Sequence, residues 1–448
     1  MGQIRRVGDE LQLGRAKVIE NAGVKFGPAQ LQPGVTHRHA WGLMYASFVT
    51  IGLATGIAVL TPYVLTTNLG IGQGDQGKAL GTLAVVQELA LLVAFALFGA
   101  LADKVGRRAV YVLGMGLLTI AYAAFAYGST MVELAMYRVI FAFGIGAATG
   151  MLATVISDYA VVNDRGKMTA LCGFLNGLGV VVVAIFLGKL PAYFVGTGQT
   201  EIAAGRSAMA AVAGVALVSG IILWLLLKPG VPPATNSKQS IGQLLREGVN
   251  AARGNRRIAL SYCAAFVARG DIAIVGLFTI AWGNQAAIAS GLTASEAVSK
   301  GSVPFIIAQS AALMWPAVIA VPLDRMDRMM ALGLTMLLGF VGYCALFFVG
   351  DPLGDAAIPF FMLLGIGQIS AFLGAQTIIG KEAPEAVRGS VIGLFNFCGA
   401  FGILILTGIG GWLFDHVGPW APFFLVGLLN GVIALMCWAQ YRSERAVA

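Results

Sequence analysis

The sequence predicts an all-α membrane protein with twelve transmembrane helices in two six-helix parallel repeats, and three observations carry that prediction. Of 448 residues, 58% are hydrophobic and only 11% charged, and the mean hydropathy of +0.82 is too high for a soluble domain. Apolar runs of bilayer-spanning length, about 20 residues, lie near 41–65, 79–102, 109–128, 131–157, 168–194, 207–227, 258–283, 302–323, 329–350, 356–380, 389–413 and 418–440. Finally, two stretches of the first half recur in the second at nearly one offset. The runs are continuously apolar and do not alternate, so they are helices and not barrel strands.

The distribution of charge orients the chain. The net charge is +8, which could point to nucleic acid or to anionic lipid. Of the 29 Lys and Arg, 23 fall in the N-terminal segment, the even-numbered connections and the tail, and four fall in odd-numbered connections (Lys78, Lys189, Arg206, Lys300). The positive-inside rule then puts both termini in the cytoplasm and removes any need for a nucleic-acid partner. The remaining two, Arg138 and Arg269, lie within spans. Five cysteines sit singly in apolar runs without metal-ligand spacing, so they read as small hydrophobes and no metal is expected. The polar first 40 residues hold no apolar core before a cleavage site, so the first span is expected to serve as its own insertion signal.

The longest polar interruption, "KPGVPPATNSKQSIGQLLREGVNAARGNRR", lies near the midpoint and opens on Pro229, Pro232 and Pro233. It predicts five segments: 1–40, a cytoplasmic N-terminal segment; 41–228, a six-helix bundle; 229–256, a linker with a short surface helix capped by Ser240; 257–440, a second bundle; and 441–448, a tail. Between the halves, "LADKVGRR" aligns with "PLDRMDRM", putting Asp103 on Asp324, Lys104 on Arg325 and Arg107 on Arg328. "DRGKMTALCGFLNGLG" aligns with "VRGSVIGLFNFCGAFG", putting Arg165-Gly166 on Arg388-Gly389 and Gly179 on Gly402. Two matches in corresponding loops argue for a parallel repeat.

With its degenerate copy at 324–328, "GALADKVGRRAV" (Gly99 to Val110) resembles the signature loop of the major facilitator superfamily. The resemblance covers the chain past residue 40. It implies alternating access through a central cavity walled by the first, fourth, seventh and tenth helices. It also implies that the loop of Asp103, Lys104, Arg107 and Arg108, with Asp158 at the end of the fourth helix and Asp324, Arg325 and Arg328 in the second copy, forms a cytoplasmic gate whose ion pairs change between states. A loop that only enforces topology is the plainer alternative.

The membrane-buried charges are the remaining candidates. Arg138, in "YRVIFAFGIGAATG", lies about 10–12 Å from the outer surface at 1.5 Å per residue; it resembles the family's fourth-helix Arg, although Gly144 and Gly146 fall half a turn late. The fifth span carries Gly173, Gly177, Gly179 and Gly188 but no Gly-Pro pair, a departure from drug exporters of the family. Glu88, about 14 Å in, reads either as a proton carrier or as half of a structural ion pair. Arg269 and Asp271, in "FVARGDIAIVG", lie near the midplane, where each charge costs about 2.5–3.5 kcal/mol on insertion scales and so avoids lipid. Positions two apart on a helix point about 200° apart, so the two cannot pair across one face unless the helix unwinds at Gly270.

On the family's map Arg138, Arg269, Gln368, Gln376, Tyr45 and Thr50 would line a cavity suited to a carboxylate or phosphate, with Glu88 or Asp271 carrying the proton. The alternative is that Arg269 and Asp271 neutralise partners on neighbouring helices. The expected protein is a monomeric secondary active transporter of the bacterial inner membrane that moves a small anionic or polar organic solute by alternating access, coupled to protons. No phosphate-cradling nucleotide loop is present, no cofactor is implied, and the three histidines (His37, His39, His416) form no nucleophile constellation, so no enzyme is expected. A multidrug exporter and a non-transporting receptor or scaffold on the same fold are the rival readings.

Overall fold

The computed structural model of the chain describes residues 24–230, 241–384 and 387–447. Within them, eleven helices are long and apolar enough to span a bilayer, and a bent pair brings the number to twelve. The first six are His37–Thr67, Gln76–Val105, Arg107–Phe125, Met131–Tyr159, Arg165–Gly196 and Glu201–Leu226. The seventh is Arg256–Ala289, and the ninth to twelfth are Arg328–Ala345, Ile358–Glu382, Arg388–His416 and Ala421–Val447. Most run a few residues past the apolar stretch that signals them, because the backbone hydrogen-bonding of a helix does not stop where its apolar side chains do. The second helix thus includes Asp103 in its last turn, where the sequence suggests a loop.

The eighth span departs from a simple rod. It consists of Ala294–Gly301, Val303–Met314 and Pro316–Arg325, and the axis bends by 41° at the break before Pro316. A proline has no N–H to donate and its ring crowds the carbonyl four residues back, so a kink there has a local cause.

The first and seventh spans are the most enclosed, each with 67% of its apolar window buried, and each packs against a glycine-bearing face of a repeat-related partner. A methyl group on Gly179 of the fifth span would collide with the carbonyl of Phe48 on the first, and one on Gly402 of the eleventh with the carbonyl of Phe266 on the seventh. Gly52 and Gly270 complete the two contacts from the other side, each about 2.9 Å from the carbonyl of Gly179 or Gly402 once a Cβ is added. The seventh helix is continuous through Gly270. Gly270 is therefore a site of close backbone approach and not an unwinding point. Of the remaining fifth-span glycines, Gly173 meets nothing, whereas Gly177 faces Leu313 and Gly188 faces Ser302 of the eighth span.

Between the halves, the second span packs on the eleventh, the fifth on the eighth and the first on the seventh. The linker helix Ile241–Gly254 lies on the seventh and eleventh spans, where Glu247 accepts a 2.6 Å bond from Ser390; its expected cap, Ser240, falls outside the described residues. Ahead of the first span, strands Lys25–Phe26 and Ala29–Gln30 form an antiparallel hairpin. Residues 30–32 are then bound to the fourth-to-fifth connection through Gln30 N to Asp164 (2.8 Å) and Gln32 N to Tyr159 O (2.8 Å).

Candidate functional site

Arg269 and Asp271 point into different surroundings, as helical spacing requires. Arg269 looks toward the seam between the halves. Its Nη2 donates to Asn396 Oδ1 on the eleventh span at 2.9 Å, and its aliphatic stem lies over Gly399, where any side chain would strike it. Its acidic neighbour is Glu88 of the second span, in the opposite half and only 5% exposed. No ion pair closes between them within 4 Å among the described residues, so the two charges face each other across the seam without locking. Glu88 lies twelve residues into its helix and Arg269 thirteen into its own, about 18 and 20 Å from opposite ends.

Asp271 is fully buried inside the second half, facing Tyr343 of the ninth span and Asn430 of the twelfth. Among the described residues neither carboxyl oxygen closes a hydrogen bond of ordinary geometry, although the Tyr343 hydroxyl and the Asn430 amide lie against them. Asp271 thus lies inside the second bundle, away from the side of the helix that carries Arg269. The reason is azimuthal: two residues along a helix rotate the side chain away from the seam and into the bundle.

Arg138 does not extend a free guanidinium toward Arg269. It is 2% exposed, and its Nη1 donates to Gln87 Oε1 at 2.8 Å and its Nη2 to Thr61 Oγ1 at 2.5 Å, while its guanidinium lies 5.3 and 5.9 Å from the ring centres of Phe125 and Phe141. A buried guanidinium held by neutral acceptors and two ring faces is tied inside the first half. In this conformation the two Arg forks are engaged by different partners, Arg138 by Gln87 and Thr61 and Arg269 by Asn396. Glu133, five residues before Arg138, caps its helix by accepting from Ser129 N and Oγ (2.8 and 2.9 Å).

The smaller polar candidates divide in the same way. Thr50 is fully buried and shares a 2.6 Å bond with Tyr111 of the third span, inside the first half. The Tyr45 hydroxyl meets Ser219 of the sixth span at 2.8 Å. Gln368 accepts from Gln309 of the eighth span at 3.1 Å, beside the Trp315–Ser370 bond of 2.8 Å. Gln376 is exposed. Asn396, Gln87 and Gln309 are the side chains that the sequence reading missed: neutral amides carry no charge to betray them inside an apolar run.

At the even-loop end, Arg107 bridges Asp103 (2.8 Å) and Asp158 (3.2 Å), while Arg108 stacks over Trp224 at 4.3 Å and donates to its carbonyl. Lys104 and Arg325 are exposed. The side chain of Asp324 lies outside the described residues. In the second half Arg328 pairs with Glu382 (3.2 Å), which also holds Arg257 (3.2 Å); Arg257 in turn binds Glu444 (2.5 Å). Glu382 ends the tenth helix 224 residues after Asp158 ends the fourth, so Arg107–Asp158 and Arg328–Glu382 are one pair repeated. All seven salt bridges among the described residues stay within one half.

The odd-loop end differs. Asp415, at the end of the eleventh span, accepts from the backbone N–H groups of Gly77 (2.7 Å) and Lys78 (2.6 Å) at the start of the second. Glu201 accepts from Tyr63 in its own half (2.8 Å) and from Ser295 in the other (2.9 Å), and Gln285 donates to the Gln73 carbonyl at 2.7 Å.

Comparison with known proteins agrees with this architecture. The family model described as Major Facilitator Superfamily matches residues 43–407 and 323–447. Magnetosome protein MamH of Paramagnetospirillum magneticum is 26% identical over 398 residues, which is 87% of this chain and 89% of MamH. The purine ribonucleoside efflux pump NepI of Escherichia coli is 24% identical over 87% of this chain and 90% of its own. The crystal structure of a mutant form of the nucleoside transporter NupG superposes with a TM-score of 0.70 at 18% identity, covering 89% of this chain and 99% of that one. The chain is thus an integral membrane protein that belongs to the major facilitator superfamily, a transporter and not an enzyme.

Proposed function

We propose that the protein moves a small organic solute bearing a carboxylate or phosphate across the bacterial inner membrane by proton-coupled alternating access, as a monomer with both termini cytoplasmic. The observation that carries this reading is the unlocked approach of Glu88 and Arg269 from opposite halves at mid-depth. One guanidinium serves one anion at a time. With Glu88 ionised, Arg269 is partly neutralised; a proton on Glu88 releases the guanidinium for the solute's anionic group, so proton and solute loading are linked. Asn396 orients the fork, and Gln368 with Gln309 offers hydrogen bonds further along the seam. Asp271, inside the second bundle, remains the second candidate for the proton. The bonds across the odd-loop end, set against ion pairs confined to each half at the other end, support a conformation open toward the cytoplasm, with the Asp103–Arg108 loop, Asp158 and the Arg325–Arg328 copy closing it in the opposite state.

A second reading has its own support. NepI and NupG are named for nucleosides, and the seam's amides suit a neutral polar solute. Multidrug export has less, because the fifth span lacks a Gly-Pro pair.

The test is flux in proteoliposomes with an imposed pH gradient, using panels of carboxylates, phosphate esters and nucleosides. Glu88→Gln should uncouple flux from the gradient while retaining binding, and Arg269→Gln should abolish binding of anionic solutes. Gradient-independent flux by wild type, or anion binding unchanged in Arg269→Gln, overturns the reading, and flux of nucleosides alone selects the second one.

A further inference from the structure

We propose that the groove between the seventh and twelfth spans at the even-loop end binds one anionic glycerophospholipid, with its phosphate on Arg256 and its upper acyl chain between the two helices.

The groove encloses about 410 Å³ and is lined by Arg256, Ala259, Leu260 and Cys263 on one side and Met436, Ala439, Gln440 and Ser443 on the other. Each set is spaced i, i+3, i+4, i+7, so each wall is one face of a continuous helix, and the groove runs for about 10 Å along the helix axes. The helices are antiparallel, which sorts the chemistry by depth. Arg256, Gln440 and Ser443 meet at the membrane surface, and Cys263 and Met436 meet below. Small side chains at Ala259, Ala439 and Cys263 leave the trough unfilled. A polar mouth above an apolar slot matches a headgroup above its chain.

Charge selects the headgroup. Arg256 is exposed and makes no hydrogen bond or ion pair among the described residues. Glu444, which follows the lining residue Ser443 in the chain, is already engaged: it takes Arg257 through both carboxylate oxygens (3.1 and 2.5 Å) and accepts from Gln440 at 2.9 Å. Among the described residues, the groove lining therefore carries one charged side chain, Arg256, and no carboxylate to repel a phosphate. A zwitterionic lipid brings its own ammonium to that cation, whereas an anionic one does not. A basic residue at this level contributes about 1 kcal/mol toward anionic lipid, equivalent to about a fivefold preference. This inference does not depend on the transport reading; a chain that moved nothing would bind the same lipid.

Native mass spectrometry of the full-length protein, titrated with phosphatidylglycerol or phosphatidylethanolamine of identical chains, tests it. Wild type should favour phosphatidylglycerol about fivefold. Arg256→Gln should abolish the preference and Arg256→Lys should keep most of it. Arg445→Gln, which removes an exposed cation outside the groove, should leave it unchanged. Ala439→Phe should weaken both lipids by filling the slot, and inorganic phosphate should not compete. Equal binding of the two lipids by wild type, a preference that survives Arg256→Gln, an equal loss in Arg445→Gln, or displacement by inorganic phosphate each overturns the proposal. Unchanged circular dichroism of Arg256→Gln separates lost binding from lost folding.

Discussion

At the odd-loop end the two halves are joined by a carboxylate on backbone amides, a glutamate on a serine and a glutamine on a carbonyl, whereas at the even-loop end every Arg–carboxylate pair among the described residues closes within its own half. The contrast separates two uses of charge. Asp415 meets the first N–H groups of the second helix, which have no partner inside that helix and lie at the positive end of its dipole, so a single carboxylate ties two six-helix bodies without a buried counter-ion. Arg107, Arg257 and Arg328 are instead held in local networks, which leaves the end of each half a finished surface able to part from the other.

The largest break in this contrast should come from backbone proximity. Any side chain on Gly411 collides with the carbonyl of Gly77, and Gly81 lies against Thr407 O in the same contact. Gly411→Leu is expected to cost about 1–3 kcal/mol in the conformation closed at the odd-loop end, a shift of about 5- to 150-fold in its population. Spin labels at the odd-loop ends of the second and eleventh spans should move apart in this variant. If their distance distribution matches wild type, the glycine seam does not hold the closure. Asp415→Ala should act in the same direction but less, by about 1–2 kcal/mol, as loss of an N-terminal helix cap does. Asp415→Asn, which keeps one acceptor, should recover part of the closure.

How much of this was legible beforehand follows from what a linear pattern can encode. Span number and depth were readable because apolar length and a rise of 1.5 Å per residue are one-dimensional quantities. Depth arithmetic assigns Arg138, Glu88, Arg269 and Asp271 a height along their helices but no particular helix face. Thr50 and Arg138 accordingly point into the first bundle where the cavity map would have them exposed. Some missed signals were present all the same. Phe48-x-x-x-Gly52 recurs as Phe266-x-x-x-Gly270 at an offset of 218, which marks Gly270 as a packing position, and Asp158 recurs as Glu382 at 224. The cross-half contacts of Asp415 had no such signal, because they join residues 337 and 338 positions apart through backbone amides, which carry no residue identity.

The smallest expected effect sharpens the comparison from the even-loop end. Arg107 is about one-fifth exposed and its partners Asp103 and Asp158 are 68% and 43% exposed. Pairs open to solvent on this scale contribute about 0.2–1 kcal/mol, so Arg107→Gln should lower thermal stability only slightly and leave the odd-loop label distances at their wild-type values. Its effect should emerge in the opposite state. If the loop exchanges its local carboxylates for partners in the other half when that end closes, Arg107→Gln will reduce turnover in proteoliposomes far more than it reduces stability, and Arg328→Gln, its repeat mate, will do the same. A loss of turnover no larger than the loss of folded protein would instead make these pairs local braces, and the two ends of the molecule would then differ in geometry without differing in purpose.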